Sequence, residues 1–326
     1  MDPRLQDFVS RYGLCLQQAR RVAHLDCRVY RLRTSTGSGP AQEWALRIYA
    51  ADRQDAGPIE DELAWLSAAA DEGLHVPAPQ ADTHGAVLQA WPSDEGGASR
   101  HAVLLRWLHG RLHDRGLTPV RLHRVGMLAG RLHHIGNRLA AAGTFKSPRR
   151  AWTTDLEPWA CGTRAGAHRL DPGLQAVLQP AAARLQSQMQ AFNTGPATWG
   201  WVHSDLHLWN LLFIRDVAGA IDFSDCGWGH HALDLAACLQ YIRHPLAGNF
   251  DHRPQYERLR DSLLEGYASV RPLPDDLLKQ LPVYLTARLF VTLDWMLEDW
   301  PRLDHRTWGP GFLRGAKEAL AGYLQG

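Results

Sequence analysis

Trp201-Val202-His203-Ser204-Asp205-Leu206-His207-Leu208-Trp209-Asn210-Leu211-Leu212-Phe213, followed shortly by Ala220-Ile221-Asp222-Phe223, is the stretch from which this 326-residue chain is read. Apolar runs stand on both sides of a loop dense in His, Asp and Asn. A loop anchored at both ends in buried strands holds its polar groups rigidly, the condition a chemical site needs. If the two runs form a hairpin around Arg215 to Gly219, Asp222 comes near Asn210. One carboxylate to accept a proton, with an amide oxygen and a second carboxylate for a hard cation, are the parts phosphoryl transfer uses. The cation neutralises phosphate charge, and the base orients the attacking hydroxyl.

Upstream, the pattern is strand-rich. Arg20 to Leu25, Val29 to Thr34 and Glu43 to Tyr49 alternate as short strands, with Asp26-Cys27-Arg28 at the first turn and Ser35-Thr36-Gly37-Ser38-Gly39-Pro40 at the second. The two glycines there lack a third glycine, a following helix and a lysine, so the segment reads as a hairpin connection and not a phosphate loop. Ile59 to Asp71 repeats apolar residues at helical spacing. Ala86 to Trp91 and Ala102 to Leu108 are two more strands, divided by the polar turn Ser93 to Ser99. Thr118-Pro119 is a helix start, and long helical periodicity follows over Val120 to Ala142, Leu174 to Phe192, Tyr256 to Ala268, Pro274 to Trp300 and Gly311 to Leu324. The expected division is therefore 1–108, rich in strands, and 109–326, mostly helical.

Composition narrows the classes. With 35 basic against 34 acidic residues the net charge is +1, without the basic excess of a nucleic-acid binder. Only Lys146, Lys279 and Lys317 are lysines, so 32 of the 35 cations are arginines. The five cysteines, Cys15, Cys27, Cys161, Cys226 and Cys238, are odd in number and form no C-x-x-C pair, which fits a reducing compartment. The N-terminus has acids where a signal peptide has bases, and no apolar run reaches membrane-span length. The expected location is cytoplasmic, with no nucleic-acid or membrane partner.

His203-x-Asp205-x-x-x-x-Asn210 with Ile221-Asp222-Phe223 and Asp234-Leu235-Ala236 resembles the aminoglycoside phosphotransferase and choline kinase branch of the protein-kinase-like superfamily. Serine stands at 204 where that branch usually has glycine. The resemblance implies an α+β, protein-kinase-like two-lobed fold, with a small antiparallel-sheet N-lobe carrying one helix and a larger, mostly helical C-lobe. It implies an enzyme moving the γ-phosphoryl group of ATP or another NTP, with Mg2+, to a hydroxyl of an aminoglycoside-, choline- or homoserine-like small molecule. By the same resemblance Asp205 is the catalytic base, His203 supports its loop, and Asn210 and Asp222 hold magnesium. The resemblance also makes Val103 to Leu108 the linker whose backbone meets the adenine, with Arg106, Trp107 and Leu108 as nucleotide-binding candidates, and Glu62 the partner of the small-lobe cation. That cation is a lysine in the family; no lysine precedes Lys146 here, so the role falls to Arg47, whose fork suits phosphate and carboxylate alike. Only eleven residues separate Asp222 from Asp234, too few for the activation segment of a protein kinase.

Simpler readings stand beside these. Asp234 reads as the N-cap of the helix after it, and Asp225 as a solvated turn acid or a substrate group. His133 and His134 read as surface or core residues. Asp294, Trp295 and Glu298, with Asp299 and Trp300, read as a helix face or as an acceptor site for an amine-bearing substrate. A catalytically silent nucleotide-binding module keeps the same motifs. His203, Asp205 and His207, alternating on one strand face, give a zinc or iron metallohydrolase as another alternative.

Overall fold

The computed structural model describes residues 2–24, 27–37, 39–49, 55–92, 99–112, 116–147, 151–152, 156–244, 251–298 and 305–326. The chain forms two compact units. The first comprises Met1–Gly110, Ala141–Pro148 and Gly219–Ser224; the second comprises Arg111–Ala140, Arg149–Ala218 and Asp225–Gly326. This is not the continuous split expected near residue 108, and the physical reason lies in named contacts of the first unit. Asp61 accepts the backbone N–H groups of Lys146 (3.1 Å) and Ser147 (3.0 Å). Ala220 N–H donates to the carbonyl of His75 at 3.1 Å, and the Phe223 ring meets Trp65 edge-on at 5.2 Å.

In chain order the first unit contains α1 (Pro3–Ser10), β1 (Cys15–His24), β2 (Cys27–Ser35), β3 (Gln42–Tyr49), α2 (Ala56–Asp71), β4 (Leu88–Trp91) and β5 (Arg100–Arg106). The strands form one antiparallel sheet, ordered β1-β2-β3-β5-β4. Its buried side is built from Leu32, Trp44, Leu46, Ile48 and Leu104, closed by Leu5, Phe8 and Val9 of α1. α1 is not among the elements expected from periodicity, although its signals are present: Asp2 caps it through the N–H of Arg4, Pro3 opens it, and residues 5, 8 and 9 share a face. β1 begins five residues before the strand expected at Arg20, because Gln17 and Gln18 obscure the alternation.

The second unit contains α3 (Pro119–Ala141), β6 (Ala151–Trp152), α4 (Glu157–Ala160), α5 (Pro172–Gln190), β7 (Trp199–Val202), β8 (Leu211–Ile214), β9 (Val217–Ala220), β10 (Gly227–His230), α6 (His231–Arg243), α7 (Tyr256–Ala268), α8 (Leu277–Glu298) and α9 (His305–Gln325). β9 carries the chain out of this unit at Gly219. The expected hairpin forms from β8 and β9, tighter than expected: the turn is Arg215-Asp216, with Arg215 at φ 54°, and Gly219 lies within β9. α3 and α7 cross without intervening side chains. A Cβ at Gly126 would lie 2.0 Å from the carbonyl oxygen of Leu263, and one at Gly266 would lie 1.9 Å from that of His123. Among the described residues no helix is long and apolar enough to cross a membrane.

Candidate active site

In the second unit β7 delivers a short loop, His203-Ser204-Asp205, that a 3-10 turn over Leu208–Asn210 leads into β8. Ser204 sits at φ 73°, in the left-handed region where glycine carries no Cβ penalty. That conformation explains why glycine is usual at this place. The loop is held from below by Asp234, whose carboxylate accepts the N–H of His203 (2.8 Å) and of Ser204 (2.7 Å). The N-cap expectation for Asp234 is thus corrected: His230 occupies the cap of α6, and Asp234, fully buried in the first helical turn, caps the loop instead.

Asp234 is itself held. Nε2 of His133 donates to it at 2.9 Å, and Nδ1 of the same ring, 3.0 Å from the Tyr267 hydroxyl, accepts from it. Burial alone would raise the Asp234 pKa, but His133 and the backbone donors more than offset it. Burial also outweighs Asp234 in keeping His133 neutral. His133 is therefore a satisfied core residue with a positioning duty. Asp234→Ala strands two buried N–H groups and one imidazole N–H, which is expected to cost about 3 kcal/mol or more. Urea unfolding checks this: the midpoint drops with an unchanged m-value, whereas an unchanged midpoint removes Asp234 from the loop's support.

Asp205 stands at the end of the loop with its side chain 28% exposed. Oδ1 accepts from Nη2 of Arg288 at 2.8 Å. Oδ2 accepts from Nδ2 of Asn210 at 3.0 Å and lies 3.2 Å from Nε2 of His207. Nδ1 of His207 accepts the N–H of Trp209 (3.2 Å), so its proton sits on Nε2 and points at Asp205. Burial works to raise the Asp205 pKa, yet His207 and Arg288 more than offset this and hold the carboxyl far below its ordinary range. The side chain is a fixed anion. His203, fully buried, accepts the Asp205 N–H at Nδ1 (3.3 Å), the hydrogen-bonding duty expected of it. With its ring turned to the backbone it does not converge with Asp205 and His207, and among the described residues no group of three or more His, Cys, Asp or Glu could hold a metal. The metallohydrolase alternative thus loses its ligand set.

Nδ2 of Asn210 also donates to the carbonyl of Asp205 at 2.9 Å. With both amide bonds made by nitrogen, the amide oxygen is the atom turned to other use, a hard donor suited to Mg2+. In the first unit Asp222, at φ 63°, has its carboxylate 56% exposed and steadied by the Ser224 hydroxyl at 3.0 Å. Taken singly, each is a hard oxygen donor of the kind that suits Mg2+.

Arg47 is buried on β3, with Nη1 2.6 Å from Oε1 of Glu62 on α2 and Nη2 3.9 Å from Oδ1 of Asp222. Burial disfavours its charge, but Glu62 more than restores it. Arg47 and Glu62 are thus brought together as expected. In the linker, Arg106 N–H donates to Ala78 (2.8 Å) and Trp107 N–H to Glu43 (3.1 Å), so both amides are engaged, with half-buried Leu108 next in the chain. Arg31 lies over the Trp107 ring at 4.7 Å.

The proposed acceptor residues are arranged differently from the sequence expectation. Asp294 accepts from Nε1 of Trp159 (2.9 Å) and Nε of Arg164 (2.5 Å), and Nη2 of Arg164 reaches Glu298 at 2.9 Å. Arg164 therefore pairs with both carboxylates, leaving one net negative charge where the sequence suggested two open acids. Trp295 is 38% exposed on the same helix and Asp225 is exposed before β10; Asp299 and Trp300 lie outside the described residues. Arg288 and Gln240 were missed by the sequence reading. Their signal is a strongly polar side chain in an apolar helical run: Arg288, the lone charge within Val283 to Leu293, and Gln240 within Cys238 to Ile242.

The profile of the phosphotransferase enzyme family matches residues 19–273. Homoserine kinase of Gluconacetobacter diazotrophicus is 29% identical over 309 residues, covering 92% of this chain and 87% of that protein. Among solved structures, a microcompartment-associated aminopropanol kinase superposes with a TM-score of 0.78 at 23% identity, covering 98% of this chain and 97% of its own. An amicoumacin kinase in complex with AMP-PNP, Ca2+ and Ami does so with a TM-score of 0.77 at 20% identity, covering 98% and 92%. At these identities the likeness establishes the fold, the α+β protein-kinase-like fold read from the motifs.

Proposed function

The chain belongs to the phosphotransferase enzyme family, and from that premise we propose that it moves the γ-phosphoryl group of ATP, bound with Mg2+, to a hydroxyl of a small amine-bearing molecule. The observation that carries this reading is the state of Asp205: a fixed anion with both donors of Oδ2 in place and a single donor on Oδ1. Oδ1 has a lone pair for the acceptor hydroxyl, which it orients and whose proton it takes. Phosphoryl transfer through a loose transition state asks more for orientation than for a strong base, and a carboxylate this firmly ionised suits that demand. Asn210 and Asp222 would hold magnesium, which supplies charge neutralisation on the phosphates. Arg47, steadied by Glu62, would hold the phosphates in place of the family's lysine. Homoserine and aminopropanol, for which two of the similar proteins are named, each carry an amine and a hydroxyl, which supports the acceptor class.

Purified protein with Mg-ATP is expected to turn over at least one member of a panel of amino alcohols, aminoglycosides, homoserine and sugars. Nucleotide binding without turnover on any member would favour the silent module and overturn the reading. Arg47→Ala is expected to raise KM for ATP about 10- to 100-fold, the loss of one charged hydrogen-bonding group; unchanged ATP affinity and turnover would remove Arg47 from the site.

A further inference from the structure

Arg288, near the middle of α8, is 2% exposed, and its guanidinium is engaged on three sides. Nη2 donates to Oδ1 of Asp205 (2.8 Å), Nη1 to the carbonyl of Ser204 (2.7 Å) and Nε to Oε1 of Gln240 (3.0 Å). Gln240, fully buried on α6, is fixed in turn: its Nε2 donates to the Thr292 hydroxyl at 2.6 Å and to the Arg288 carbonyl at 3.3 Å. Thr292 closes the ring by donating to that same carbonyl at 3.2 Å.

A buried guanidinium is a poor way to fill a core, since an apolar side chain of similar volume usually packs there at no loss of stability. The two arms of this one fall on adjacent residues of one loop. One arm fixes a backbone carbonyl at a residue held at φ 73°, and the other fixes the side chain that follows. Together they define both the path of the loop and the direction of the Asp205 carboxylate. A planar fork with parallel donors does this; a lysine reaches one atom or the other. We propose that Arg288, anchored by Gln240, is the positioning residue for Asp205, setting the direction from which the carboxylate meets the acceptor hydroxyl. This rests on the reading of Asp205 given above.

The experiment compares wild type with Arg288→Met, Arg288→Lys and Gln240→Met on the best acceptor of the panel. Arg288→Met is expected to lower kcat about a hundredfold, the scale of an ångström-sized misplacement, while KM for ATP stays within twofold. Arg288→Lys should recover part of that loss. Arg288→Met with kcat within twofold of wild type, or with kcat and ATP KM worsening together and no recovery by lysine, would overturn the proposal. Should Arg288→Met fail to fold, Gln240→Met, which keeps the charge but frees the fork, carries the test: a tenfold fall in kcat supports it and an unchanged kcat refutes it. If wild type turns over nothing, the reading of Asp205 fails, and the clamp is then judged by stability. Asp205→Asn should lower the thermal midpoint by more in the wild-type background than in the background of Arg288→Met, or of Gln240→Met where only that variant folds; equal shifts in both backgrounds would refute the clamp.

Discussion

Asp205→Asn is expected to lose turnover by a factor of 10² to 10⁴, on the order supplied by a positioned acid–base group, and to lose stability as well. The second effect comes from the partners of the side chain. Arg288 Nη2, Asn210 Nδ2 and His207 Nε2 all point N–H groups at the carboxylate. Whichever way the new amide is turned, its NH2 faces a donor. Arg288 also loses its one anionic partner among the described residues while it stays buried. Removing one member of a buried pair costs about 3–5 kcal/mol. The variant should therefore show a lower thermal midpoint together with its lost activity. Nucleotide titration on the folded fraction separates the two effects: ATP affinity close to wild type places the loss in the transfer step. A variant that retains more than a tenth of wild-type turnover would remove Asp205 from the chemistry.

Mild acid is expected to unfold the protein well above the range in which carboxylates titrate. His133, His230 and His231 are each no more than 2% exposed. Burial lowers all three, His230 to about 4 and His231 to about 2, and the rings of His133 and His231 stack at 4.5 Å, which penalises charging both. In the unfolded chain each returns to about 6.5. Below that pH the unfolded state binds protons that the folded state refuses. The stability these groups contribute is present in full above about 6.5 and is lost as pH falls towards 4. His230 and His231 alone give a slope of up to about 3 kcal/mol per pH unit, and His133 acts in the same direction, against a typical total of about 5–15 kcal/mol. Urea midpoints at pH 7.5, 6.5 and 5.5 should drop sharply across the last interval. Midpoints that stay level to pH 5 would show that the buried histidines accept protons in the folded state.

The sequence by itself determined the family, the loop that carries Asp205, its histidine, the partner of Arg47 and the strand-then-helix order of the chain. These are local features. An H-x-D-x-x-x-x-N loop between apolar runs fixes spacing along the backbone, and hydrophobic periodicity reports which face of an element is buried. Tertiary structure decided what those residues touch. Asp234 passed for a helix cap because an acid before a helical run has that use most often, and only the fold brings the His203 and Ser204 amides to its carboxylate. Asp294 and Glu298 look like open acids in the sequence, and only the packing of the 156–170 segment on α8 brings Arg164 to them. Arg288 lies 83 residues from Asp205, a distance over which no periodicity operates. A lone arginine in an apolar helix shows that some buried anion or carbonyl must face it, since a buried charge has to be paired; which one faces it is settled when α6 and α8 pack beneath the loop.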